Sequence, residues 1–273
     1  MQSDAQHELL TEGYDSEQVD MMSERVILVD DEDQVLGSMS KVEAHRGDGV
    51  LHRAFSIHVF DEKNRLLMQK RASHKITFPD VWANTVCSHP LHVDDELNDE
   101  DNYVGTKLAA IRKMEQELGV PLDTFHTDDI HMITRMMYRA RADKIWVEHE
   151  LDHILFARAH PNMEVSPNPN EISEVQWVTE DELNQWLSEN PQDGRIIAPW
   201  FRLIAENILP QWWGNLDGVP THADNLIRDY GDVTMNDNSV LDASKMGVMA
   251  ALKSHKDAVE SRVISALSKS CLL

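Results

Sequence analysis

The chain has little cysteine, few aromatic residues and about half as many basic as acidic residues. Only two of its 273 residues are cysteines, Cys87 and Cys271, which is too few for a disulfide framework and predicts a reducing compartment. Lysine and arginine number 25 against 48 aspartates and glutamates, so the formal charge is −23. A surface of that sign repels nucleic acids and anionic membranes, and we expect neither as a partner.

Long apolar runs are also lacking, since no stretch reaches the ~18 residues expected of a membrane span. Residues 1–24 are acidic and contain neither the basic nor the apolar segment of a targeting peptide. We therefore expect a disordered acidic leader at 1–24 and a cytoplasmic location. An anionic small molecule is acceptable as a ligand only where lysines and arginines cluster locally.

Hydrophobic periodicity predicts strands and a few helices in the rest of the chain. Strands are predicted at 25–30, 34–41, 52–61, 65–71, 130–141, 144–160 and 174–179, with an extended segment at 76–86. Helices are predicted at 103–120, with Leu108, Ile111 and Leu118 on one face, at 180–189 and at 198–209. This order of elements indicates an α/β or α+β sandwich.

The predicted domain covers 25–220, and 221–273 is a C-terminal extension without a recognisable motif. The extension begins with a loop-like stretch and continues as a helix with an apolar stripe from Met246 to Val263. Such a stripe packs on its own domain or on a second copy more readily than it binds a cofactor. A homodimer is therefore an open alternative.

Two motifs place histidines where they could bind a metal. His45 and His52 are seven residues apart in "KVEAHRGDGVLHRAF", although two histidines near a strand are more often structural. Cys87 and His89 are two residues apart in "WANTVCSHPLH", so in an extended segment the thiol and imidazole point to the same side. The alternative for Cys87 is a small buried apolar residue beside a polar histidine.

Two further motifs carry acids. Glu148 and Glu150 share one face of the strand "WVEHELDHILF", and acids rarely point into a packed sheet unless they are paired or bound to metal. The alternative is a solvent-facing strand edge. Glu115 and Glu117 end the helix "RKMEQELGV", where carboxylates can bind Mg²⁺, although exposed helix acids are common.

Taken together, three histidines and two glutamates, with a water or a bidentate carboxylate, suit a six-coordinate divalent metal. Cys87 and a carboxylate lie beside that site. Four basic residues near these motifs would supply the positive charge that the composition lacks: Lys41, Arg71, Lys75 and Lys113.

Segments in the order "KVEAH", "VLHRAF", "KITFPDVWANTVCSHPL", "AAIRKMEQELGV", "WVEHELDHILF", "NPNEISEVQWV" and "PWFRLIAENIL" resemble the type 1 isopentenyl-diphosphate Δ-isomerase family. The resemblance covers about 25–215 and implies a Nudix-like α/β/α sandwich with a mixed sheet. The helix end departs from the hydrolytic Nudix box, since Lys113 follows Arg112 and Gln116 precedes Glu117 where that box has glutamates.

The resemblance also implies roles for particular residues. Cys87 and Glu150 would transfer protons, and Trp200 and Tyr138 would face the hydrocarbon end of an isoprenoid diphosphate. Glu117 would bind a Mg²⁺ that arrives with the diphosphate. The tightly bound divalent metal, Mg²⁺ or else Mn²⁺ or Zn²⁺, would be held by His45, His52, His89, Glu148 and Glu150. The diphosphate would be clamped by Lys41, Arg71, Lys75 and Lys113.

Two alternatives to an isomerase remain open at this point. The first is a Nudix-type hydrolase of a nucleoside diphosphate derivative, suggested by the degenerate helix box. The second is a non-catalytic module that binds a metal or a diphosphate. Binding alone needs no thiol opposite a carboxylate, so Cys87 and the two glutamates argue against the module.

Overall fold

The computed structural model describes residues 14–99, 101–161, 163–188 and 195–234. Its helices are α1 (Ser16–Met21), α2 (Lys41–Ala44), α3 (Asp94–Leu97), α4 (Val104–Leu118), α5 (Glu180–Ser188) and α6 (Pro199–Asn207), with 3₁₀ turns at Thr127–Asp129, Leu209–Gln211 and Trp213–His222. Its strands are β1 (Arg25–Val29), β2 (Val35–Ser40), β3 (His52–Phe60), β4 (Leu66–Arg71), β5 (Trp82–Ala83), β6 (Val86–Ser88), β7 (Ile130–Arg141), β8 (Val147–Arg158), β9 (Ile172–Val178) and β10 (Ile227–Val233).

The strands form one mixed sheet in the order β10-β7-β8-β3-β1-β2, and β4, β5, β6 and β9 branch from β3 and β4. β3 runs parallel to β8, whereas β7 and β8 form an antiparallel hairpin. β3 is buried along its whole length and β8 along nearly all of it, as expected for strands covered on both faces. The predicted α/β class with a mixed sheet is therefore confirmed.

Helix α4 ends at Gly119, as the sequence predicts. Gly119 has a φ of 64°, and its N–H donates to the carbonyl of Glu115, because a residue without Cβ takes the left-handed conformation at little cost. The predicted apolar face needs correction, since Leu108 is 37% exposed. The helix packs through Ala109, Ala110, Met114 and Leu118, since small residues allow close approach to the sheet.

The predicted disordered leader at 1–24 is wrong for its last residues, which include α1. Asp15 caps this helix by accepting from the N–H groups of Glu17 and Gln18, and the Gln18 side chain is buried against Asn170 and Glu171. Acidic composition predicted disorder, but local capping and long-range hydrogen bonds hold the segment. Residues 1–13 lie outside the described part of the chain.

The predicted boundary at 220 is also wrong, because β10 joins the sheet beyond it. β10 pairs in parallel with β7, and its Asp and Gly residues made it look like a loop in the sequence. Tertiary pairing with a long neighbouring strand overrides that weak propensity. The predicted helix with the Met246–Val263 stripe lies outside the described residues, so it stays a prediction.

The segment 76–86, predicted to be extended, contains only the short strands β5 and β6. Phe78 and Asp80 adopt φ values of 45° and 60°, which non-glycine residues take at some cost. The bend presents the carbonyl oxygens of Thr77 and Phe78 to the guanidinium of Arg71. Among the described residues, every helix is too short or too polar to cross a membrane.

His58 on β3 is a fully buried imidazole in an aromatic cluster with Phe201 and Trp212. Burial lowers its pKa from 6.5 to about 4. Below pH 6.5 the unfolded chain therefore binds a proton that the folded chain excludes. The free energy of unfolding should lose roughly 3 kcal/mol from this residue as the pH falls through 6.5 to 4.

We therefore expect His58→Phe to flatten the acid side of the stability curve, measured by urea unfolding between pH 4 and 7. The comparison is of slopes, because the loss of the contact with the Leu155 carbonyl lowers stability at every pH. His222→Gln on the exposed surface is the matched control and should keep the slope of the parent chain. Equal slopes for His58→Phe and the parent would contradict the prediction.

Candidate active site

The predicted site residues meet in one pocket. It is lined by Lys41, His45, Arg71, Lys75, Cys87, His89, Lys113, Glu117, Tyr138, Glu148, Glu150 and Trp200. His52, the remaining predicted residue, is fully buried next to His45 and His89, with ring centroids 4.7 and 4.8 Å away. The predicted set is therefore a spatial cluster and not only a sequence pattern.

Strand register brings the reactive groups together. Glu150 on β8 lies opposite His52 on β3 and opposite Tyr138 on β7. Cys87 on β6 lies opposite Ser56 on β3. Because directly opposed residues share a face of the sheet, and alternate residues along a strand do so too, these side chains and Glu148 point into the same space.

Four residues form a group whose ligand atoms lie within 4.8 Å of one another: His45, His52, His89 and Glu150. Glu148 was predicted as a fifth ligand but lies outside this group, although it lines the same pocket. Three nitrogen donors and one carboxylate suit a divalent cation.

The hydrogen bonds around these histidines leave nitrogen atoms free for a metal. The carbonyls of Lys41 and Val50 accept from the Nδ1–H groups of His45 and His52, which turns each Nε2 toward the group. Nε2 of His52 and Nδ1 of His89 are buried without a hydrogen-bond partner. Burial lowers the pKa of all three imidazoles, which keeps them in the neutral form that ligates metals. The residues therefore fit a divalent cation.

Tyr138 has a contact that the sequence did not predict. Its hydroxyl donates to Glu150 at 2.5 Å and lies 3.4 Å from Glu148. Burial raises the pKa of the phenol well above its ordinary value, so it remains a donor. Burial and the nearby Glu150 charge raise the pKa of Glu148 to about 8. The tyrosine hydroxyl thus lies between the carboxylates of Glu148 and Glu150 and keeps them close together.

Cys87 lies in the pocket with its sulfur 3.8 Å from the guanidinium of Arg71. Burial raises the pKa of the thiol to about 12, although Arg71 opposes that shift. Arg71 is itself held by the carbonyls of Thr77 and Phe78. The thiol therefore rests in its neutral form against a fixed cation.

Three of the four predicted basic residues have acidic partners. Lys41 pairs with Glu24 at 2.6 Å, and Lys113 pairs with Glu117 at 3.0 Å. Lys75 pairs with Glu171, which also accepts from the side chain of Gln18 on α1. Burial alone would raise the pKa of Glu171, but Lys75 and Lys113 lower it to about 2. The pocket therefore holds an ordered array of cations without a large net charge.

Sequence reasoning missed Glu24, Glu171 and Gln18. Glu171 belongs to the quoted segment "NPNEISEVQWV", so its motif was visible but its partner, 96 residues away, was not. Gln18 and Glu24 lie in the acidic stretch predicted to be disordered. The available signal was that a buried lysine needs an acidic partner. The acids of the motifs that had no assigned role were therefore candidates for such pairs.

Trp200 occupies the second position of α6 and is 2% exposed. Its ring contacts that of Phe78 edge-to-face, with centroids 5.3 Å apart, and the Arg71 guanidinium lies 5.7 Å from its centroid. Its indole N–H donates to the side-chain oxygen of Asn84 at 3.3 Å. The indole of Trp200 is thus fixed in the wall of the pocket.

Comparison with known proteins agrees with this arrangement. The family model of the NUDIX domain matches residues 50–201, more than half of the chain, so the chain carries a NUDIX domain. It is 43% identical over 211 residues to the isopentenyl-diphosphate delta-isomerase IDI1 of Gibberella zeae, covering 75% of this chain and 81% of the relative. It is 39% identical to isopentenyl-diphosphate Delta-isomerase 1 of Bos taurus, covering 80% and 96%.

The chain therefore belongs to the isopentenyl-diphosphate delta-isomerase family and carries the NUDIX domain. Among solved structures, DR0079 from Deinococcus radiodurans is similar at 17% identity and a TM-score of 0.47, covering 67% of this chain and 98% of that one.

Proposed function

We propose that the chain interconverts isopentenyl diphosphate and dimethylallyl diphosphate in isoprenoid biosynthesis. The carrying observation is a half-buried thiol, Cys87, and a buried carboxylate, Glu150, in one pocket with four basic side chains. Moving the double bond requires a proton to be added at one carbon and removed at another. Two proton carriers in one water-poor site meet that requirement.

Protonation of an unactivated alkene makes a tertiary carbocation, which needs stabilisation without attack by a nucleophile. The face of an indole attracts a cation by its quadrupole and forms no bond with it. Trp200 lines the pocket and is buried, and we propose that it turns such a face toward the substrate. We assign carbocation stabilisation to Trp200, and proton transfer to Cys87 and to Glu150 with its donor Tyr138.

The diphosphate is bound by the basic side chains. Among the described residues, the hydrogen-bond partners of Arg71 are carbonyl oxygens, the Thr77 hydroxyl and a thiol and include no carboxylate, so its guanidinium is available to an anion. Lys41, Lys75 and Lys113 are oriented by Glu24, Glu171 and Glu117. These acids hold extended lysine chains in place before the substrate arrives, which reduces the entropy lost on binding.

The His45, His52, His89 and Glu150 group would hold a divalent cation, for which we propose Mg²⁺, Mn²⁺ or Zn²⁺. When bound, such a cation would supply a fixed positive charge that orients the Glu150 carboxylate and lowers its proton affinity. Glu148 supports the same carboxylate through their shared contact with Tyr138. Glu117 is the proposed ligand for a Mg²⁺ brought in by the diphosphate.

Hydrolysis is less compatible with this site. The hydrolytic NUDIX box places glutamates where this chain has Lys113 and Gln116, and Lys113 forms an ion pair with the remaining Glu117. The site therefore lacks two of the carboxylates that would bind several Mg²⁺ ions on a diphosphate. We expect the diphosphate to serve as an anchor that stays intact.

A cytoplasmic location and the absence of nucleic acid and membrane partners are proposed from composition and charge alone. A homodimer is proposed only as an alternative, since its predicted contact lies in the C-terminal extension.

The test is to incubate the protein with isopentenyl diphosphate in D₂O and follow the reaction by NMR. We expect dimethylallyl diphosphate with deuterium in the new methyl group, and no inorganic phosphate. Release of phosphate without deuterium incorporation would support the hydrolase. Binding of the diphosphate without either signal would support the binding module.

A further inference from the structure

Asn84 is a fully buried residue of the segment between β5 and β6 that the proposed chemistry does not use. Its amide group makes three hydrogen bonds. Nδ2 donates to the carbonyls of Ile57 at 3.2 Å and Val86 at 2.7 Å, and Oδ1 accepts from the indole N–H of Trp200 at 3.3 Å. Both amide protons and the amide oxygen therefore have partners inside the protein.

The chemistry of these partners determines which way the amide points. An indole N–H only donates, and backbone carbonyls only accept. If the amide were rotated by 180°, its NH₂ group would face the indole N–H and its oxygen would face two carbonyls. All three contacts would become repulsive, so only the observed orientation satisfies every group.

These bonds connect two parts of the proposed machinery. Val86 immediately precedes Cys87 on β6, and Ile57 lies opposite Val86 on β3. Trp200 belongs to α6, more than 100 residues later in the chain. The amide of Asn84 therefore joins the strand pair that carries the thiol to the helix that carries the indole.

The other contacts of the indole are less directional. Phe78 and Arg71 approach the ring at centroid distances of 5.3 and 5.7 Å, and such contacts tolerate rotation of the ring in its plane. A hydrogen bond to the ring nitrogen loses strength steeply when it is misaligned. The bond to Asn84 is thus the contact that sets the rotation of the indole.

We propose that Asn84 is a positioning residue for the isomerisation. It holds the indole of Trp200 in a fixed position relative to the strand that carries Cys87. This inference rests on the proposed function, since it assigns to Asn84 the alignment of the cation-stabilising face with a proton carrier. Asn84 acts through Trp200, and its hydrogen bonds within the described part of the chain include none to Lys41, Arg71, Lys75 or Lys113. Its loss should therefore reduce kcat and leave KM within about two-fold.

The test is a double-mutant cycle with Asn84→Ala, Trp200→Phe and the two combined, assayed with isopentenyl diphosphate. Asn84→Ala should lower kcat about ten-fold in the parent, since the directional hydrogen bond to the indole is lost. In the Trp200→Phe chain the same change should alter kcat less than two-fold, because phenylalanine has no N–H. The bonds to Ile57 and Val86 are lost in both backgrounds, so their contribution to stability cancels.

A second variant keeps Asn84 in place and avoids a folding defect. Replacing Trp200 by 3-benzothienylalanine exchanges the ring N–H for sulfur and preserves the size and the π face. We expect kcat to fall about ten-fold with a melting temperature close to that of the parent. Equal kcat losses from Asn84→Ala in both backgrounds, or full activity with benzothienylalanine, would overturn the positioning role. A parent chain without isomerase activity would instead overturn the proposed function.

Discussion

Cys87→Ala should reduce isomerisation at least about 10³-fold while the chain stays folded and still binds the diphosphate. In the proposed mechanism the thiol is one of two proton carriers, and Glu150 cannot replace it because each would act from its own side of the substrate. Alanine leaves only a small void, since one sulfur atom is removed. Deuterium incorporation from D₂O, followed by NMR, measures the loss directly.

Two controls separate proton transfer from packing. Cys87→Ser keeps a hydrogen-bonding group near Arg71, but its hydroxyl ionises far less readily than a thiol, so we expect a comparable loss. Cys271→Ala replaces the chain's other cysteine, which belongs to no motif, and should keep full turnover. Turnover by Cys87→Ala within ten-fold of the parent would show that another group carries this proton.

The local pattern of the sequence was sufficient for much of the site. Spacing of two in extended segments correctly placed Cys87 with His89 and Glu148 with Glu150 on shared faces of their segments. Strand alternation is a geometric property of the backbone, so it holds wherever the segment is extended. Reading the motifs jointly then grouped these pairs with His45 and His52. The register of β3 and β8, which sets His52 opposite Glu150, explains why His52 lies near that glutamate.

The contacts that sequence reasoning missed depend on partners that are distant in the chain. Asn84 and Glu171 both lie in quoted motifs, but their partners Trp200 and Lys75 are 116 and 96 residues away. No periodicity relates such positions. The length and type of a polar side chain limit its reach, and only the fold determines what lies within that reach.

Weak local propensity explains the errors in element boundaries. Helix α1 and strand β10 are short and rich in acids, so composition predicted disorder and loop. Each is held by bonds to a long element or to a buried group: β10 by pairing with β7, and α1 by the side chain of Gln18 on Glu171. Tertiary contacts decide the conformation where intrinsic preference is small.

Removal of the divalent metal should abolish activity and lower the melting temperature by about 5–10 °C. His45, His52, His89 and Glu150 come from α2 and its flanking turn, β3, the segment after β6, and β8, so a bound ion ties four segments together. Without the ion, two imidazole nitrogens in the group remain buried and unpaired. Prolonged dialysis against a chelator, metal analysis by mass spectrometry and calorimetry measure both effects.

Mn²⁺, Mg²⁺ or Zn²⁺ should restore activity and melting temperature together, and the most effective ion identifies the native choice. His52→Gln removes one ligand, and its melting temperature should not change on chelation. His149→Gln is the matched control, because His149 lies between Glu148 and Glu150 on β8 and bonds instead to the carbonyl of Gly49. That variant should respond to chelation as the parent does. Full turnover by a chain shown to be free of metal would refute the role of the ion. The hydrogen bond from Tyr138 would then be enough to orient Glu150 for proton transfer.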